Sequence, residues 1–288
     1  MKVRKVIGKG KSTSSKSLII TSDLHVGHKL AVGGNIKGLN RFWNSARDYL
    51  KRDRATVFII NGEPVDGDNP KEGGKGLWSN SIEDQMSKAD ELLSCFKMDN
   101  IGMTRGSNYH TQKGNTNIEQ MFARMITAAP VLNYQMFGKI KTSTREDYDN
   151  SNNKTVVIDD LLQLRINGIV INIIHHVGGS RWFSYRPSAL AKEMANCIFL
   201  DGKLWNYKDS PKIIIRSHTH QFVYVGYGRT YGAVTPAWKV TDSFQMKSGM
   251  NAASIGLLEI VIEQNGEFIT NPIIMKDMSY PKVNIIDI

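Results

Sequence analysis

Cysteine is scarce: the chain has two in 288 residues, Cys95 and Cys197, without metal-type spacing. That argues against a disulfide framework or a thiolate zinc site. Two lone thiols in helix-like segments fit buried residues in a reducing compartment, so a cytoplasmic protein is expected. Long apolar runs are absent too. None approaches the ~20 residues of a membrane span, and the basic opening MKVRKVIGKGKSTSSK lacks the apolar core of a signal peptide. Acids are missing from the first 22 residues, which hold six Lys/Arg, and the whole chain carries a net charge of +10. This excess favours acidic partners, nucleic acid first. No internal repeat and no linker interrupts the rest. Residues 1–16 therefore read as a flexible basic arm and 17–288 as a single domain.

What is present suffices for a core: 41% apolar and 22% charged residues over a chain of this length. Leu18–Ile20, Thr56–Ile60, Ile101–Thr104, Ile169–Ile174 and Lys212–Arg216 read as buried strands. Leu39–Arg52 carries Phe42, Trp43, Ala46 and Leu50 at helical spacing. Ser79–Phe96 reads as a helix with Ser81 as N-cap, Asn117–Ala128 as another, and Pro187–Leu204 as a third with Pro near its first turn. Thr155–Ile166 and Ile169–Ile174 flank Asn167-Gly168, a hairpin signal. Lys141–Lys154 is polar and turn-rich, the best candidate for a mobile surface insertion. The tail, Phe222–Lys276, reads as strands with turns at Gly228, Gly249 and Asn265-Gly266.

The seven histidines are the informative residues. His25, His28, His110, His175, His176, His218 and His220 each follow closely on an apolar run. Stray surface histidines would not confine themselves to strand exits, where ligands gather in α/β sheets. Asp23 and His25 are two apart, so extended backbone turns both to one side. A carboxylate and an imidazole so placed make half of a metal site. In order, the exits read Asp23-x-His25, Gly62-Glu63-x-x-Asp66, Gly106-x-Asn108-x-His110, His175-His176 and His218-x-His220.

These five blocks resemble the calcineurin-like metallophosphoesterase superfamily, whose pattern is D-x-H, G-D-x-x-D, G-N-H-D/E, H and G-H-x-H. The likeness covers roughly residues 17–260. It implies an α/β four-layer sandwich: two mixed β-sheets packed face to face and flanked by helices. It also implies two divalent metal ions (Mn, Fe, Ni or Zn, Mn favoured). Asp23, His25 and His220 would hold the first, Glu63 would bridge, and Asn108, His175 and His218 would hold the second. His110 would contact the phosphate and protonate the leaving oxygen. Asp66 would orient a ligand; His176 and Arg105 would stand close to ligand or substrate, and His28 would touch substrate or be a solvated loop residue. Three departures stand out. Glu63 replaces Asp, Ser217 replaces Gly, and the third block is G-S-N-Y-H, leaving Ser107 or Asn108 as the ligand. The choice between His175 and His176 is likewise open, with His175 favoured. The spacing of the third block and TPAW (Thr235–Trp238) look like virus (phage)-encoded members with G-T-x-x-H, which would place the protein in a host cytoplasm.

The function expected is metal-dependent hydrolysis of a phosphate ester, most readily a phosphodiester in nucleic acid or a nucleotide. The basic arm and the helix with Arg41, Arg47, Lys51, Arg52 and Arg54 support that substrate. The alternatives are a phosphomonoesterase acting on a small molecule or protein, and a non-catalytic scaffold with an altered metal site. Gly67-Asp68 after Asp66, where protein phosphatases have Arg-Gly, weakens the protein-phosphatase option.

Overall fold

Strand β1 (Lys16–Thr21) shows how the layers arise. Successive side chains of a strand face opposite ways, and β1 is buried on both sides. Leu18 and Ile20 join one apolar core, while Ile19 joins another. Strand β2 (Val57–Asn61) does the same, with Val57 and Ile59 in the first core and Phe58 and Ile60 in the second.

The computed structural model describes residues 15–50, 57–70, 73–94, 96, 100–113, 116–126, 146–149, 155–180, 182–204, 210–247 and 252–276. After β1 come α1 (Lys37–Leu50), β2, α2 (Ile82–Ser94), β3 (Asn100–Thr104) and a short α3 (Asn108–Thr111). A small hairpin follows, β4 (Gln112–Lys113) and β5 (Thr116–Asn117), then α4 (Ile118–Ile126), β6 (Glu146–Asp149) and β7 (Thr155–Asp159). Next are β8 (Leu161–Ile166), β9 (Ile169–Ile174), α5 (Arg186–Leu204) and β10 (Ile213–Arg216). The chain closes with β11 (Val223–Tyr227), β12 (Thr230–Val234), α6 (Ser243–Lys247), β13 (Gly256–Ile262) and β14 (Phe268–Ile274).

The larger sheet has the order β14-β13-β1-β2-β3-β7-β6 and the smaller β11-β12-β10-β9-β8. Both are mixed. β1, β2, β3 and β7 run parallel with antiparallel neighbours at either side, and β9, β10 and β12 run parallel between antiparallel β8 and β11. Leu18, Ile20, Val57 and Ile59 of the larger sheet share a core with Leu162, Leu164, Ile171, Ile173, Ile213 and Ile215 of the smaller. The far face of the larger sheet packs on α1, α2 and α4 through Trp43, Met86 and Phe122. The far face of the smaller sheet packs on α5 through Leu190 and Met194. Helix, sheet, sheet, helix is the four-layer sandwich expected. No helix among the described residues is long and apolar enough to cross a membrane.

Local signals work as the chemistry requires. Ser81 Oγ accepts the Asp84 N–H (3.1 Å), capping α2, and Asn117 Oδ1 accepts the Gln120 N–H (2.9 Å), capping α4. Asn167 and Gly168 have φ of 48° and 80°, the pair of left-handed residues that a two-residue hairpin needs. Two readings need correction. Thr155–Ile166 is not one strand: it breaks at Asp160, whose N–H is taken by Asp159 Oδ1 (2.7 Å). β7 thus stays in the larger sheet, and the chain crosses so that β8 joins the smaller. Within the polar stretch 141–154, Glu146–Asp149 pairs antiparallel with β7 as an edge strand. Residues 1–14 of the arm, 141–145 and 150–154 of the insertion, Lys51, Arg52, Arg54, Cys95 and Gly249 lie outside the described residues.

Candidate metal centre

Asp23 lies two residues past β1, Glu63 two past β2, His175 directly after β9 and His218 two past β10, all at the carboxyl ends of parallel strands. The backbone there is unusual. Asp23, His25, Glu63, His218 and His220 have φ of 48°, 47°, 54°, 73° and 58°. Non-glycine residues rarely adopt this left-handed region, and functional sites are where they concentrate. Neighbouring loops hold one another there: Asp23 N–H donates to Gly62 O (3.2 Å), His25 N–H to Glu63 O (3.0 Å) and Trp238 N–H to Asp23 O (3.0 Å). Gly62 must be glycine, because at φ 77° a Cβ would lie 2.3 Å from His175 Nδ1.

Three groups of side chains converge. Asp23, His25, Glu63 and His220 each bring a donor atom within 4.8 Å of the others; so do Glu63, His175 and His218, and so do His25, Asp66 and His110. The first two share Glu63. Its Oε2 lies 3.0 Å from His25 Nε2 and its Oε1 lies 3.4 Å from His175 Nε2. His25 and His175 turn Nε2 inward because Nδ1 is engaged behind: His25 Nδ1 to Asp66 Oδ1 (2.8 Å), His175 Nδ1 to Asn61 O (2.7 Å). Such outer partners fix the tautomer that a metal ligand needs. His220 differs. Gln245 Oε1 accepts the Asp242 N–H (3.0 Å), so its amide nitrogen faces His220 Nδ1 (3.0 Å), and His220 Nε2 lies between Asp23 Oδ1 (3.3 Å) and His25 Nε2 (3.1 Å).

The electrostatics are those of a site built for positive charge. Burial pushes the Asp23 carboxyl up, but His220 and His175 outweigh it and hold it well below the usual carboxylate range. Burial likewise opposes ionisation of Glu63, and His110, His175 and His25 together hold it well below. Burial and Lys239 push His25 down, yet Glu63 and Asp66 raise it to about 9. His175 is lowered by burial but raised to about 10 by Asp23 and Glu63. Burial takes His218 down to about 4, leaving a neutral imidazole. Asp23 Oδ1, His175 Nε2 and His218 Nδ1 are buried without a hydrogen-bond partner. Buried polar atoms are normally paired, and three bare atoms among buried carboxylates are what a divalent cation would satisfy. The mixed N/O donor set fits a borderline transition metal.

Sequence-level candidates fall as follows. His175 is buried in the cluster, whereas His176 is exposed and faces a cavity, its ring 4.3 Å from that of His218. Asn108 is exposed at the start of α3; it is Ser107 that meets the carboxylate, its N–H donating to Glu63 Oε1 (3.1 Å) and its hydroxyl to the same atom. His110 Nδ1 donates to Asp66 O (2.8 Å), and burial lowers its pKa. Asp66 is fully buried behind His25. His28 neither touches solvent nor faces the cluster: it is buried, and its Nδ1 accepts the Leu30 N–H (3.0 Å) because the loop folds back onto Leu77. Arg105 turns toward Asp160 (3.4 Å) at the start of β8. Cys197 is only half-buried.

Several residues have roles that the sequence does not announce. Glu119, fully buried in the first turn of α4, accepts the N–H groups of Glu63 (2.9 Å) and Gly106 (3.0 and 2.9 Å). Lys239 is buried between Asp242 (2.8 Å) and Asp66 (3.6 Å). Ser217 joins Asn61, Thr104, Thr235 and Ser22 in a buried hydrogen-bonded floor that ties the two sheets beneath the ligands. Glutamate in a first helical turn looks ordinary in a sequence, and Ser217, though a departure from the family pattern, gives no local sign of its partners.

No protein-family model and no curated protein matches the sequence. Solved structures similar to the chain include a single mutant of Vps29 from Entamoeba histolytica, at 12% identity over 90% of this chain and 99% of that one, with a TM-score of 0.43. An archaeal phosphodiesterase shows 12% identity, 89% and 99% coverage and a TM-score of 0.43. Yfce, a phosphoesterase from E. coli, shows 13% identity, 89% and 99% coverage and a TM-score of 0.39. Such distant likeness transfers no activity, and the chemistry has to be read from the residues.

Proposed function

We propose that the protein is a metal-dependent phosphoesterase of the calcineurin-like kind, acting on a phosphodiester in nucleic acid or a nucleotide. The observation that carries this reading is the pair of donor groups sharing Glu63, with bare buried atoms on Asp23, His175 and His218. Asp23, His25 and His220 would hold one cation and His175 and His218 the other. Glu63 would bridge, and Ser107 or Asn108 would complete the second site. Divalent cations so held, manganese favoured, supply charge against a phosphoryl group and lower the pKa of water. The chain's own contribution is to fix the donors. Asp66 and Asn61 orient His25 and His175, and Glu119 fixes the Glu63 backbone. His110, anchored through Nδ1, offers Nε2 to the phosphate or leaving oxygen. In its neutral form that nitrogen accepts a hydrogen bond; to act as an acid it must gain a proton, which the negative charge of bound phosphate favours. The net charge of +10 would draw in a polyanion.

The test is hydrolysis of bis-p-nitrophenyl phosphate, p-nitrophenyl phosphate and single- and double-stranded DNA, each with Mn, Ni, Zn or Mg. Metal-dependent turnover of the diester above the monoester supports the reading. Preference for the monoester makes it a phosphomonoesterase, and tight metal binding without turnover makes it a scaffold.

A further inference from the structure

A cavity of about 430 Å³ opens beside the second donor group, lined by His176, Val177, Gly178, Gly179, Glu193, His218 and Thr219. Its volume is within the range of small-ligand sites. His218 belongs to the metal cluster and His176 packs against it at a tilt of 50°, so a phosphate at the cluster would have one substituent lying in this cavity. Gly178 and Gly179 bring no side chains to that wall. Glu193 does not present an uncompensated charge, since its carboxylate accepts from the buried Arg216 guanidinium.

The wall continues into an unusual turn. Three residues beyond Gly179, within about 10 Å of chain, stands Trp182, 74% exposed, followed by Tyr185, 63% exposed. Trp182 N–H donates to Ser180 Oγ (3.2 Å), and Tyr185 N–H donates to Trp182 O (3.0 Å) where the chain enters α5. Among the described residues no ring packs on either. Tyr224, also exposed, is different: it stacks on Tyr231 at 6.4 Å beside Phe222, closing the edge of the sandwich. Arg181 and Arg186 bracket the aromatics in sequence. Exposed rings with basic residues next to them in the sequence suit unpaired bases, since base-on-aromatic stacking with basic flanks is how single strands are held without sequence preference.

We propose that Trp182, with Tyr185 beside it, is a stacking platform for a nucleobase of single-stranded nucleic acid whose neighbouring phosphate lies at the metal cluster. This rests on the phosphoesterase reading and narrows its substrate to a strand with unpaired bases. Stacking on one aromatic ring corresponds to a loss of about 5- to 150-fold on alanine substitution.

The experiment compares wild type, Trp182→Ala, Trp182→Phe and the Trp182→Ala/Tyr185→Ala double variant in the full chain with Mn²⁺. Trp182→Ala should lower kcat/KM on a single-stranded oligonucleotide by that factor, chiefly through KM. Turnover of an abasic oligonucleotide, which offers the same phosphates but no ring, should stay within about twofold of wild type, as expected where no stacking contact is lost. Trp182→Phe should keep most of the oligonucleotide activity, and the double variant should lose more than the single. An unchanged oligonucleotide rate, or an equal loss on both substrates, overturns the platform. If wild type cleaves bis-p-nitrophenyl phosphate but no oligonucleotide, the platform fails and the phosphoesterase reading stands. If neither is cleaved, the phosphoesterase reading fails, and binding of a fluorescent phosphorothioate oligonucleotide decides the platform alone. Weaker binding by Trp182→Ala supports it, and equal binding overturns it.

Discussion

Replacing Glu119 by glutamine should make the metal-free protein more stable and its metals weaker. The Glu119 carboxyl is pushed up to about 7 by burial, against the opposing pull of the Glu63 and Gly106 N–H groups. Its folded pKa thus lies above its unfolded value near 4.5. The stability that its neutral form contributes is full below about pH 4.5 and is lost as pH rises through about 7. At ~1.4 kcal/mol per pKa unit, keeping the carboxylate ionised above pH 7 costs on the order of 3 kcal/mol. Glutamine is neutral at every pH and, like the protonated acid, offers one carbonyl acceptor. At pH 4 Glu119→Gln should therefore unfold in urea with the wild type. At pH 8 the metal-free variant should be the more stable by up to about 3 kcal/mol.

Metal affinity should move the other way. With cations at Glu63 their charge favours the ionised Glu119, whose two oxygens hold the Glu63 and Gly106 N–H groups together. The amide loses that charge and turns a donor toward Gly106. Outer partners of metal ligands typically contribute about 10–100-fold in affinity, so titration calorimetry with Mn²⁺ at pH 8 should show a loss of that order. Asn117→Ala is the control. It removes the α4 cap, costing about 1 kcal/mol, and should leave metal affinity unchanged. A Glu119→Gln variant that is less stable and proportionately weaker at binding, or an equal affinity loss in Asn117→Ala, would refute the positioning role.

The remaining predictions concern protons and ligands. His25 and His175 are raised to about 9 and about 10, so in the metal-free protein both are protonated at neutral pH and a cation must displace those protons. Apparent metal affinity should rise with pH between about 7 and 9, by up to ~100-fold per unit if both protons leave; competition titrations that show no slope would contradict this. The same shifts make metal-free stability from these two groups full below about pH 6.5 and lost as pH climbs through 9–10, read by urea midpoints. Ser107→Ala should lower occupancy of the second site while Asn108→Ala leaves both filled, and Glu63→Asp should resemble Ser107→Ala because the shorter carboxylate draws away from the Ser107 hydroxyl; elemental analysis decides. His110→Ala should retain its metals and lose about 10²–10⁴-fold in rate, most on alkyl or nucleoside esters. An equal loss on p-nitrophenyl esters would leave it a phosphate-positioning residue.

What could be read from the sequence was whatever repeats locally. Leu18–Ile20 and Ile213–Ile215 declare themselves as strands because every position is apolar, and Asp23, Glu63, His175 and His218 declare themselves by following such runs. The break at Asp160 did not, since two adjacent aspartates inside an apolar alternation fit a strand exposed on one side as well as a strand changing sheets. The Ser107–Asn108 choice depends on how far the Glu63 side chain reaches, and Gly106 shows how tightly it is fitted: a Cβ there would come 2.5 Å from Glu63 Cγ. Glu119, Lys239 and Gln245 act through partners 56, 173 and 25 residues away. No local pattern encodes contacts of that range.

The backbone gives the strongest reason to regard the cluster as built for a ligand. Five polar residues at one edge of two sheets, Asp23, His25, Glu63, His218 and His220, hold left-handed φ angles. At about 1–3 kcal/mol each, the strain is comparable with the whole stability of an ordinary domain. Packing alone would relax it, because glycine or asparagine at these positions would close the same loops at lower cost. The strain is instead held in place from several directions: by the Asn61–Ser217–Thr235–Ser22 floor, by Trp238 on Asp23, and by Glu119 on Glu63. These braces lie behind the donors and leave Asp23 Oδ1, His175 Nε2 and His218 Nδ1 bare in front. A fold that braces its strained residues from the rear while leaving their inward atoms unpaired has its binding geometry set before any cation arrives, so affinity need not be spent on assembling the site.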